Sequence, residues 1–503
     1  MGISCWIAHK AVWSPEKIAT EFHDRRLTYP AFEAWVARLA GYLRTNQSVG
    51  EGDRVAYLGQ NSDVILALFF ACARIGAIFV PLNSRLTADQ LAVMAENADP
   101  RLVCAGDGFA ETARAAVAGL NARVLALAPA ADGVDLFDPP GRFAPVACDP
   151  GRDQSAPVLI AYTSGTTGVP KGAVYTQDAI TFSAINSNNC WNMRGRDHVL
   201  TYLPMFHVGG FMIHTLPAFH IGARVTILDG FEPGEVLRRI GSDGVGLILA
   251  PPHFSLALFG HETWAETDLT SLRCVGIGST FVPPEVMQGW LDRGIPTQQN
   301  YGLTEGAPAL GAPFEHHRRK AHTAGLSMLY CQAHVVDEHM QKLPPGQTGE
   351  IMLRGRSICS GYWNNPAATS AAFKDGWFQT GDLGYTDEDG YFHIVDRKKN
   401  IVIVGSSNVY PADLERVLEG SSDISEAAVV GVPDPETGEA LAACVCPTAV
   451  GWADEAAVRA LFDGKLAPYQ HPKHVFFVED FPRTSLGKVQ KAALAAEIRN
   501  RLA

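Results

Sequence analysis

Short apolar runs typical of β-strands alternate with helical patterns through much of the N-terminal part of this chain. Because strands separated by helices pair in parallel through crossover connections, this alternation predicts βαβ units. We therefore predict an α/β fold whose large N-terminal domain contains mainly parallel sheets with flanking helices. The clearest part of the pattern comprises strands at 54–58, 77–80 and 101–104, separated by helices at 64–75 and 86–97.

The last hundred residues have an alternation of their own. Strands are predicted at 401–404 and 427–431, and helices at 411–419 and 455–465. A chain of 503 residues exceeds one ordinary hydrophobic core, so more than one domain is expected. We predict a large domain at 1–395 and a small, mobile α+β domain at 396–503, with a hinge near Asp396.

The charge and composition exclude several classes of protein. The net charge is −12, which argues against a nonspecific nucleic-acid binder because such proteins present basic surfaces. The ten cysteines include no C-x-x-C pair, which favours reduced thiols in a cytoplasmic protein. The first residues, MGISCW, lack the pattern of a signal peptide.

The apolar stretch 64–82 raises the question of a membrane span. It contains Arg74 and is interrupted by Gly76 and Pro81. Because an arginine is costly in lipid, we expect a buried helix followed by a buried strand and no membrane span.

The segment YTSGTTGVPKG at 162–172 combines glycines, hydroxyl side chains and one lysine after an apolar run. Glycines let backbone N–H groups approach an oxyanion, and hydroxyls and Lys171 add donors and positive charge. The segment therefore predicts a phosphate-binding loop, although its spacing is not that of a Walker A loop. The alternative is a flexible surface linker.

Eight motifs occur together and span most of the chain. They are YTSGTTGVPKG (162–172), LPMFHVGG (203–210), YGLTE (301–305), GEIMLRG (349–355), GYWNNP (361–366), WFQTGDLG (377–384), DRKKNIVIVGSSNVYPADLE (396–415) and PRTSLGKVQK (482–491). In these motifs and their order the chain resembles the acyl-CoA synthetase branch of the adenylate-forming superfamily, which also includes peptide-synthetase adenylation domains and beetle luciferases.

The resemblance implies two half-reactions and a set of nucleotide-binding residues. A carboxylate first attacks the α-phosphate of Mg-ATP and releases pyrophosphate, and a thiol, usually that of coenzyme A, then displaces AMP. The residues implied to hold the β- and γ-phosphates are Thr163, Ser164, Gly165, Thr166, Thr167, Gly168 and Lys171. Those implied to contact the adenine are Asn300, Tyr301 and Gly302, and those implied to contact the ribose are Asp382 and Arg397. Gly405 belongs to the implied mobile loop 404–409.

The resemblance also implies four catalytic residues. Thr304 would donate to the α-phosphate, Glu305 would hold Mg²⁺, and Lys488 would neutralise charge during adenylation and then withdraw. His207 would separate the acid site from the thiol tunnel. Without the resemblance, residues 301–305 would be interpreted as an ordinary turn. Lys488 would be interpreted as a solvated lysine, and His207 as a buried structural histidine.

We expect the acyl pocket to be lined by the segment around His207 and by the strand and loop at 276–281. These segments hold neither an arginine for a second carboxylate nor an aspartate for an amino-acid ammonium. A medium or longer fatty acid and an aryl acid of the hydroxycinnamate type both remain open. The predicted pocket residues are His207, Val208, Gly209, Phe211, Gly278, Ser279, Thr280, Gly306 and Ala307.

The leading prediction is an acid–thiol ligase that uses ATP, Mg²⁺ and coenzyme A. The alternatives are an acyl-AMP ligase that loads a carrier-protein thiol, a luciferase-like oxygenase and a catalytically silent nucleotide-binding protein. A homodimer is left open. The run 278–281 departs from the GGAP-like sequence of many relatives, and this affects the identity of the acid more than the reaction.

Overall fold

The computed structural model describes residues 2–129, 133–163, 170–279, 282–316, 319–404, 407–449, 452–484 and 487–502, without the side chain of Asn408. The described chain forms two compact units, the first made of 1–333 and 353–378 and the second of 334–352 and 379–503. The domain boundary near Asp396 stays a prediction.

The helices of the described residues are mostly two to four turns long, and three short 3₁₀ segments accompany them at Phe314–His316, Lys398–Asn400 and Pro468–Gln470. The α-helices are α1 (Cys5–Trp13), α2 (Tyr29–Thr45), α3 (Asp63–Ile75), α4 (Ala88–Ala98), α5 (Ala110–Ala116), α6 (Gln177–Cys190), α7 (Val208–Met212), α8 (Thr215–Ile221), α9 (Pro233–Asp243), α10 (Pro252–Phe259), α11 (Pro284–Asp292), α12 (Pro366–Ala372), α13 (Pro411–Glu419), α14 (Glu455–Ala460) and α15 (Lys491–Leu502).

The strands follow the predicted alternation in the N-terminal part and become more closely spaced after residue 297. They are β1 (Ile18–Phe22), β2 (Arg25–Thr28), β3 (Arg54–Leu58), β4 (Ile78–Leu82), β5 (Leu102–Ala105), β6 (Arg123–Ala126), β7 (Pro157–Thr163), β8 (Lys171–Thr176), β9 (His198–Thr201), β10 (Arg224–Ile227), β11 (Leu247–Leu249), β12 (Cys274–Ile277), β13 (Thr297–Leu303), β14 (Gly306–Gly311), β15 (Leu326–Ser327), β16 (Cys331–Val336), β17 (Gly349–Gly355), β18 (Phe373–Lys374), β19 (Trp377–Thr386), β20 (Phe392–Arg397), β21 (Val402–Val404), β22 (Ser407–Val409), β23 (Ile424–Asp434), β24 (Gly438–Pro447) and β25 (His474–Phe477).

Two sheets of the first unit are mainly parallel, which confirms the predicted fold class. One has the order β6-β5-β3-β4-β7-β8, and its pairs are parallel except for β7 with β8. The other has the order β15-β14-β13-β12-β11-β9-β10-β1-β2 and is parallel from β13 through β10 to β1. The carboxyl ends of these parallel strands are the usual place for a ligand crevice in α/β proteins.

Helix α3 confirms the prediction of a buried helix followed by a buried strand. Nearly every residue of the helix is buried, and Gly76 ends it in the left-handed conformation at φ 80°. The buried Arg74 guanidinium donates to both oxygens of Glu33, at 2.9 and 2.7 Å, so its charge is compensated within the protein. Within the described residues, no helix is both long enough and apolar enough to cross a bilayer.

The second unit contains a sheet of order β22-β21-β24-β23, with β25 parallel to β24. Successive side chains of β23 and β24 point to opposite faces of this sheet, and apolar side chains lie on both faces. Val429 belongs to one core with Leu414, Leu418 and Phe462, whereas the neighbouring Val430 belongs to the other, with Leu494 and Ile498 of α15. Each face is therefore covered by helices, which gives this part of the chain hydrophobic cores of its own.

Candidate active site

The predicted phosphate-binding segment connects two paired strands. Thr163 is the last residue of β7, Lys171 is the first of β8, and the two lie opposite each other in an antiparallel pair. The residues predicted here and elsewhere that lie outside the described part of the chain are Ser164, Gly165, Thr166, Thr167, Gly168, Thr280 and Gly405.

The hairpin of β13 and β14 places Thr304 and Glu305 in a two-residue turn, because Leu303 pairs with Gly306. Two tyrosines hold this turn. The Tyr175 hydroxyl donates to the carbonyl oxygen of Thr304 at 2.8 Å, and the Tyr362 hydroxyl donates to Oε1 of Glu305 at 2.6 Å.

Lys171 also contacts the hairpin turn through Tyr362, since its Nζ lies 5.4 Å from the centre of the Tyr362 ring. We call Lys171, Glu305 and Tyr362 the Glu305 group. Burial raises the pKa of Tyr362, and the charge of Glu305 raises it further. The phenol therefore stays neutral and donates a hydrogen bond to a buried carboxylate, which fixes the orientation of that carboxylate.

Asn300 offers a buried acceptor at the start of the same hairpin. Its Oδ1 has no hydrogen-bond partner among the described residues. A Cβ on Gly278 would lie 2.6 Å from the carbonyl oxygen and 2.9 Å from Oδ1 of Asn300, so only glycine permits this approach. Because buried acceptors normally have partners, Oδ1 is suited to a donor that arrives with a ligand, such as an adenine amino group.

Tyr301 pairs with Leu310 across the hairpin. A Cβ on Gly302 would lie 3.0 Å from the carbonyl oxygen of Gly306, so the two arms approach each other closely at this point. The Ser183 hydroxyl donates to the carbonyl oxygen of Ala307 at 2.6 Å, which anchors the second arm to α6.

A small cavity lies at the carboxyl ends of β9 and β11. Its interior measures about 10 Å³, which is room for about one water molecule. Of the predicted pocket residues only Gly209 is among those that line it. The lining residues are Leu200, Thr201, Tyr202, Leu203, Gly209, Gly210, His214, Thr215 and Leu249.

The other described pocket residues lie at three places: at α7, directly after β12, and, for Gly306 and Ala307, at the start of β14. His207 is the residue before α7, and its ring centre is 4.5 Å from that of Phe206, while Val208 begins the helix. The buried Phe211 contacts Phe69 and Phe79, at 5.1 and 6.2 Å between ring centres, and so belongs to the packed interior.

Ser279 follows β12 with a φ of 76°, which is uncommon for a residue with a Cβ. Such a conformation persists only where the surrounding structure holds it, and it occurs often at binding sites. Its position supports the prediction that the end of β12 contributes to the pocket.

In the second unit, Asp382 and Arg397 lie opposite each other on β19 and β20. The Nε of Arg397 is 3.0 Å from Oδ1 of the buried Asp382. Burial, followed by repulsion from Arg397, lowers the pKa of Lys488 to about 8, while Asp382 opposes the decrease. The same causes lower the pKa of Lys399. We call Asp382, Arg397, Lys399 and Lys488 the Asp382 group.

The Asp382 group holds three basic side chains around one carboxylate. Burial and the charge of Arg397 lower the pKa values of Lys399 and Lys488. The nearby Asp382 therefore does not fully compensate the positive charges of these two lysines. An anion such as a phosphate would stabilise this arrangement.

Asp396, the predicted hinge residue, is buried and hydrogen-bonded on several sides. Its carboxylate accepts from the backbone N–H of Arg397 at 2.6 Å, from Nδ2 of Asn400 at 2.9 Å and from the backbone N–H of Ala412 at 3.0 Å. It therefore joins the end of β20 to the first turn of α13, and its role as a hinge stays a prediction.

Comparison with known proteins identifies the family. Residues 7–363 match the model of the AMP-binding enzyme, and residues 413–488 match that of the AMP-binding enzyme C-terminal domain. The chain belongs to the AMP-binding enzyme family. This confirms the resemblance to adenylate-forming enzymes of the acyl-CoA synthetase branch and the prediction of an acid–thiol ligase.

The relatives of this AMP-binding enzyme include ligases of aromatic acids. It is 38% identical to the indoleacetate–CoA ligase of Aromatoleum aromaticum, over 98% of this chain and 97% of that protein. It is 36% identical to the feruloyl-CoA synthase of an Amycolatopsis species, over 99% of both. ATP-bound MatB from Rhodopseudomonas palustris has the same fold, with a TM-score of 0.92 and 29% identity over 100% of both chains.

Several residues that lie beside the predicted site residues or line the small cavity were not predicted from the sequence of this AMP-binding enzyme. Tyr362 and Lys399 lie inside motifs that the resemblance already used, so their positions in GYWNNP and DRKKN were the available signal. Tyr202 and His214 flank the motif around His207, and nothing in their spacing distinguishes them from ordinary core residues.

The donor chemistry of Glu305 fits Mg²⁺. No group of three or more metal-binding side chains occurs among the described residues. Mg²⁺ in nucleotide sites is usually bound by one or two carboxylates together with phosphates. The single buried carboxylate of Glu305 in the hairpin turn agrees with this coordination.

Proposed function

We propose that this AMP-binding enzyme is an ATP-dependent aryl carboxylic acid–CoA ligase that acts through an acyl-adenylate. The observation that carries the aryl assignment is the similarity, over almost the whole chain, to two ligases whose names contain aromatic acyl groups, indoleacetate and feruloyl.

In the first half-reaction, the carboxylate oxygen of the acid attacks the α-phosphorus of ATP and pyrophosphate leaves. Asn300 accepts from the adenine amino group through Oδ1, and Tyr301 offers its ring face to the base. Asp382 and Arg397 bind the ribose hydroxyls. Thr163 and Lys171, with the loop between them, hold the β- and γ-phosphates.

Charge develops on the α-phosphate as the bond to the acid forms. Thr304 donates to this phosphate, and Lys488 places an ammonium against the phosphate and the incoming carboxylate. Glu305 would hold Mg²⁺, which would neutralise phosphate charge, and Tyr362 keeps the Glu305 carboxylate in position.

In the second half-reaction, the sulfur of coenzyme A attacks the acyl carbonyl and the bond to AMP breaks. We propose that Lys488 withdraws with the small domain after adenylation, through rotation near Asp396. The loop 404–409, which contains Gly405, then shapes the path of the thiol. His207 lies between the acid and this path.

Two other substrates follow from the same reaction class. A medium or longer fatty acid would replace the aryl acid in the first half-reaction. A carrier-protein thiol would replace coenzyme A in the second half-reaction only, so the first half-reaction would be unchanged. The cytoplasmic location and a homodimer also stay predictions, and the homodimer can be checked by light scattering.

The experiment is a panel of aryl and alkyl carboxylic acids assayed for ATP-dependent pyrophosphate release and for AMP release with coenzyme A. Aryl acids should support both steps, with kcat/KM values higher than those of octanoate or palmitate. Adenylate formation without thioester on addition of coenzyme A, but with thioester on a phosphopantetheinylated carrier protein, would replace the proposal by the carrier-protein ligase. A preference for palmitate would overturn the aryl assignment.

A further inference from the structure

Two short segments of the second unit, 482–484 and 487–490, pair with each other and lead directly into α15. We call the two together the Lys488 segment. The carbonyl oxygen of Lys488 accepts from the backbone N–H of Thr484 at 2.7 Å, and its own N–H donates to Oγ1 of Thr484 at 3.2 Å. The first residue of α15 is Lys491, three positions after Lys488, so a contact that fixes the start of this helix also fixes the backbone that carries Lys488.

An ion pair holds the start of α15. Nζ of Lys491 lies 2.7 Å from Oε1 of Glu415, which is on α13. The same oxygen accepts from the backbone N–H of Val429 on β23, also at 2.7 Å. The side chain of Glu415 is 16% exposed and that of Lys491 is 23% exposed, so water competes little for this contact. One carboxylate oxygen thus joins three elements of the second unit, namely α13, β23 and α15.

Helix α13 also carries the contact to Asp396. The backbone N–H of Ala412, in the first turn of the helix, donates to Oδ2 of Asp396 at 3.0 Å, and Glu415 follows one turn later. Backbone hydrogen bonds fix successive turns of an α-helix relative to each other. A continuous path of short contacts therefore runs from Asp396 through α13 to Lys491, and from there along the chain to Lys488.

The charge of Glu415 depends on Lys491 for compensation. Burial raises the pKa of Glu415, and the charge of Asp396 adds to the increase, whereas Lys491 opposes it. A carboxylate that is largely removed from water is costly unless it is paired and hydrogen-bonded. Removal of either partner should therefore loosen the attachment of α15 to α13.

We propose that Glu415 and Lys491 are positioning residues that hold Lys488 in place for adenylation and make it move together with the helix joined to Asp396. This inference rests on the proposed function and adds two residues to it. Neither residue would touch a substrate, because both act through Lys488. A displacement of about 1 Å from the productive geometry can cost about 10²-fold in rate, so a loosened Lys488 segment would slow the step that uses its ammonium.

The first test compares the two half-reactions in Glu415→Gln and Lys491→Met, with an acid that the wild type activates. Glu415→Gln removes the charge but keeps an oxygen that can accept from the backbone N–H of Val429. Adenylation, measured as ATP–pyrophosphate exchange, should fall by about 10–10²-fold in both variants. Thioester formation from a supplied acyl-adenylate should stay near the wild-type rate, and Lys491→Arg, which keeps the charge, should retain most of the adenylation activity. Equal losses in both half-reactions, or full adenylation activity in both variants, would overturn the positioning role.

The double variant Glu415→Gln/Lys491→Met shows whether the two residues act as one unit. If they do, its loss of adenylation should be no larger than that of the more damaged single variant, because the interaction is already absent there. Additive losses would overturn the pairing. Lys473→Met is the matched control, because it removes another lysine that pairs with carboxylates of the same unit, those of Asp434 and Glu436. It should leave both half-reactions at wild-type rates even if the melting temperature falls, and slow adenylation in this control would mean that lost stability alone explains the effect.

A second measurement does not depend on activity. Competitive labelling of the full-length protein with acetic anhydride over a range of pH, read by mass spectrometry without substrates, gives the pKa of Lys488. The wild type should give about 8, because burial and then Arg397 lower this pKa while Asp382 opposes the decrease. Glu415→Gln and Lys491→Met should shift it toward about 10.4, the ordinary lysine value, as the Lys488 segment loosens and becomes hydrated. An unchanged pKa in both variants would overturn the inference.

The two measurements separate the positioning role from the proposed function. If Lys488→Ala adenylates as fast as the wild type, the role of Lys488 in the proposed function fails, and the labelling experiment still decides whether Glu415 and Lys491 position it. If Lys488 is needed but neither its pKa nor the adenylation rate changes in Glu415→Gln and Lys491→Met, the positioning role fails and the ligase remains.

Discussion

The Glu305 group and the Asp382 group each contain one buried carboxylate, but the partners of the two carboxylates differ. Oε1 of Glu305 accepts from a neutral phenol, that of Tyr362. Oδ1 of Asp382 is 3.0 Å from a guanidinium, and two lysines with lowered pKa values accompany that pair. The Glu305 carboxylate thus accepts from a neutral donor, whereas the Asp382 carboxylate lies beside a guanidinium. This difference supports the proposals that Glu305 would hold Mg²⁺ and that Lys488 would neutralise charge on the α-phosphate.

The strongest test of this difference is Lys488→Ala, which removes one cation from the Asp382 group. Adenylation, measured as ATP–pyrophosphate exchange, should fall by about 10²–10³-fold, the usual cost of losing one group that stabilises transition-state charge. Thioester formation from a supplied acyl-adenylate should change little. Lys465→Ala, at an exposed position of the same unit, is the control. Equal loss of both half-reactions would contradict the role of Lys488.

Glu305→Gln tests the other side of the comparison. The amide keeps an acceptor for the Tyr362 hydroxyl but removes the charge, so adenylation should fall by about 10²-fold. The Mg²⁺ concentration for half-maximal activity should rise by about tenfold, and a titration of Mg²⁺ at constant ATP measures it. Glu262→Gln, on the exposed surface of the first unit, should show neither effect. An unchanged Mg²⁺ requirement in Glu305→Gln would remove the metal from this group.

The pH dependence of adenylation sharpens the comparison further. Because the pKa of Lys488 is lowered to about 8, its ammonium is present below pH 8 and is lost as the pH rises through that value. The kcat/KM for adenylation should therefore decrease above about pH 8, by about tenfold per pH unit at the limit. Lys488→Arg should abolish this decrease, since arginine stays protonated. A decrease that persists in Lys488→Arg must come from another group.

Tyr362→Phe should have the smallest effect, because it removes only the donor that orients Glu305. A hydrogen bond to a charged group contributes about 1.5–3 kcal/mol to the free energy of unfolding, and one to a neutral carbonyl contributes about 0.5–1.5 kcal/mol. The loss of stability in Tyr362→Phe should therefore exceed that in Tyr29→Phe, which removes a buried hydroxyl that donates to the carbonyl oxygen of Ala223 at 2.7 Å, as measured by denaturant unfolding. The Mg²⁺ requirement should shift in the direction seen for Glu305→Gln but by less. A loss no larger than that of Tyr29→Phe would mean that the Glu305 carboxylate is not oriented by Tyr362.

The local pattern of apolar residues was enough to predict several elements of the fold. Helices at 64–75 and 411–419 and strands at 54–58 and 101–104 agree with the structure to within a residue or two, because long buried segments carry strong periodicity. The pairing of β23 with β24 and of β21 with β22 was not predicted, since strand pairing depends on contacts between residues distant in sequence.

Within the candidate site, the residues in recognisable motifs were predictable and their partners were not. Glu305, Asp382 and Lys488 follow from the motifs alone. The phenol that orients Glu305 comes from Tyr362, 57 residues later. The polar atoms of Tyr202 and His214 could be singled out only from the structure, which buries them with no partner among the described residues.

By itself, the sequence determined the fold class, the family and the type of reaction, because periodicity and motif order are local properties of the chain. Only the tertiary structure decided which charges meet and which polar atoms stay unpaired. Those properties depend on burial and on distances between remote segments, which no single stretch of sequence contains.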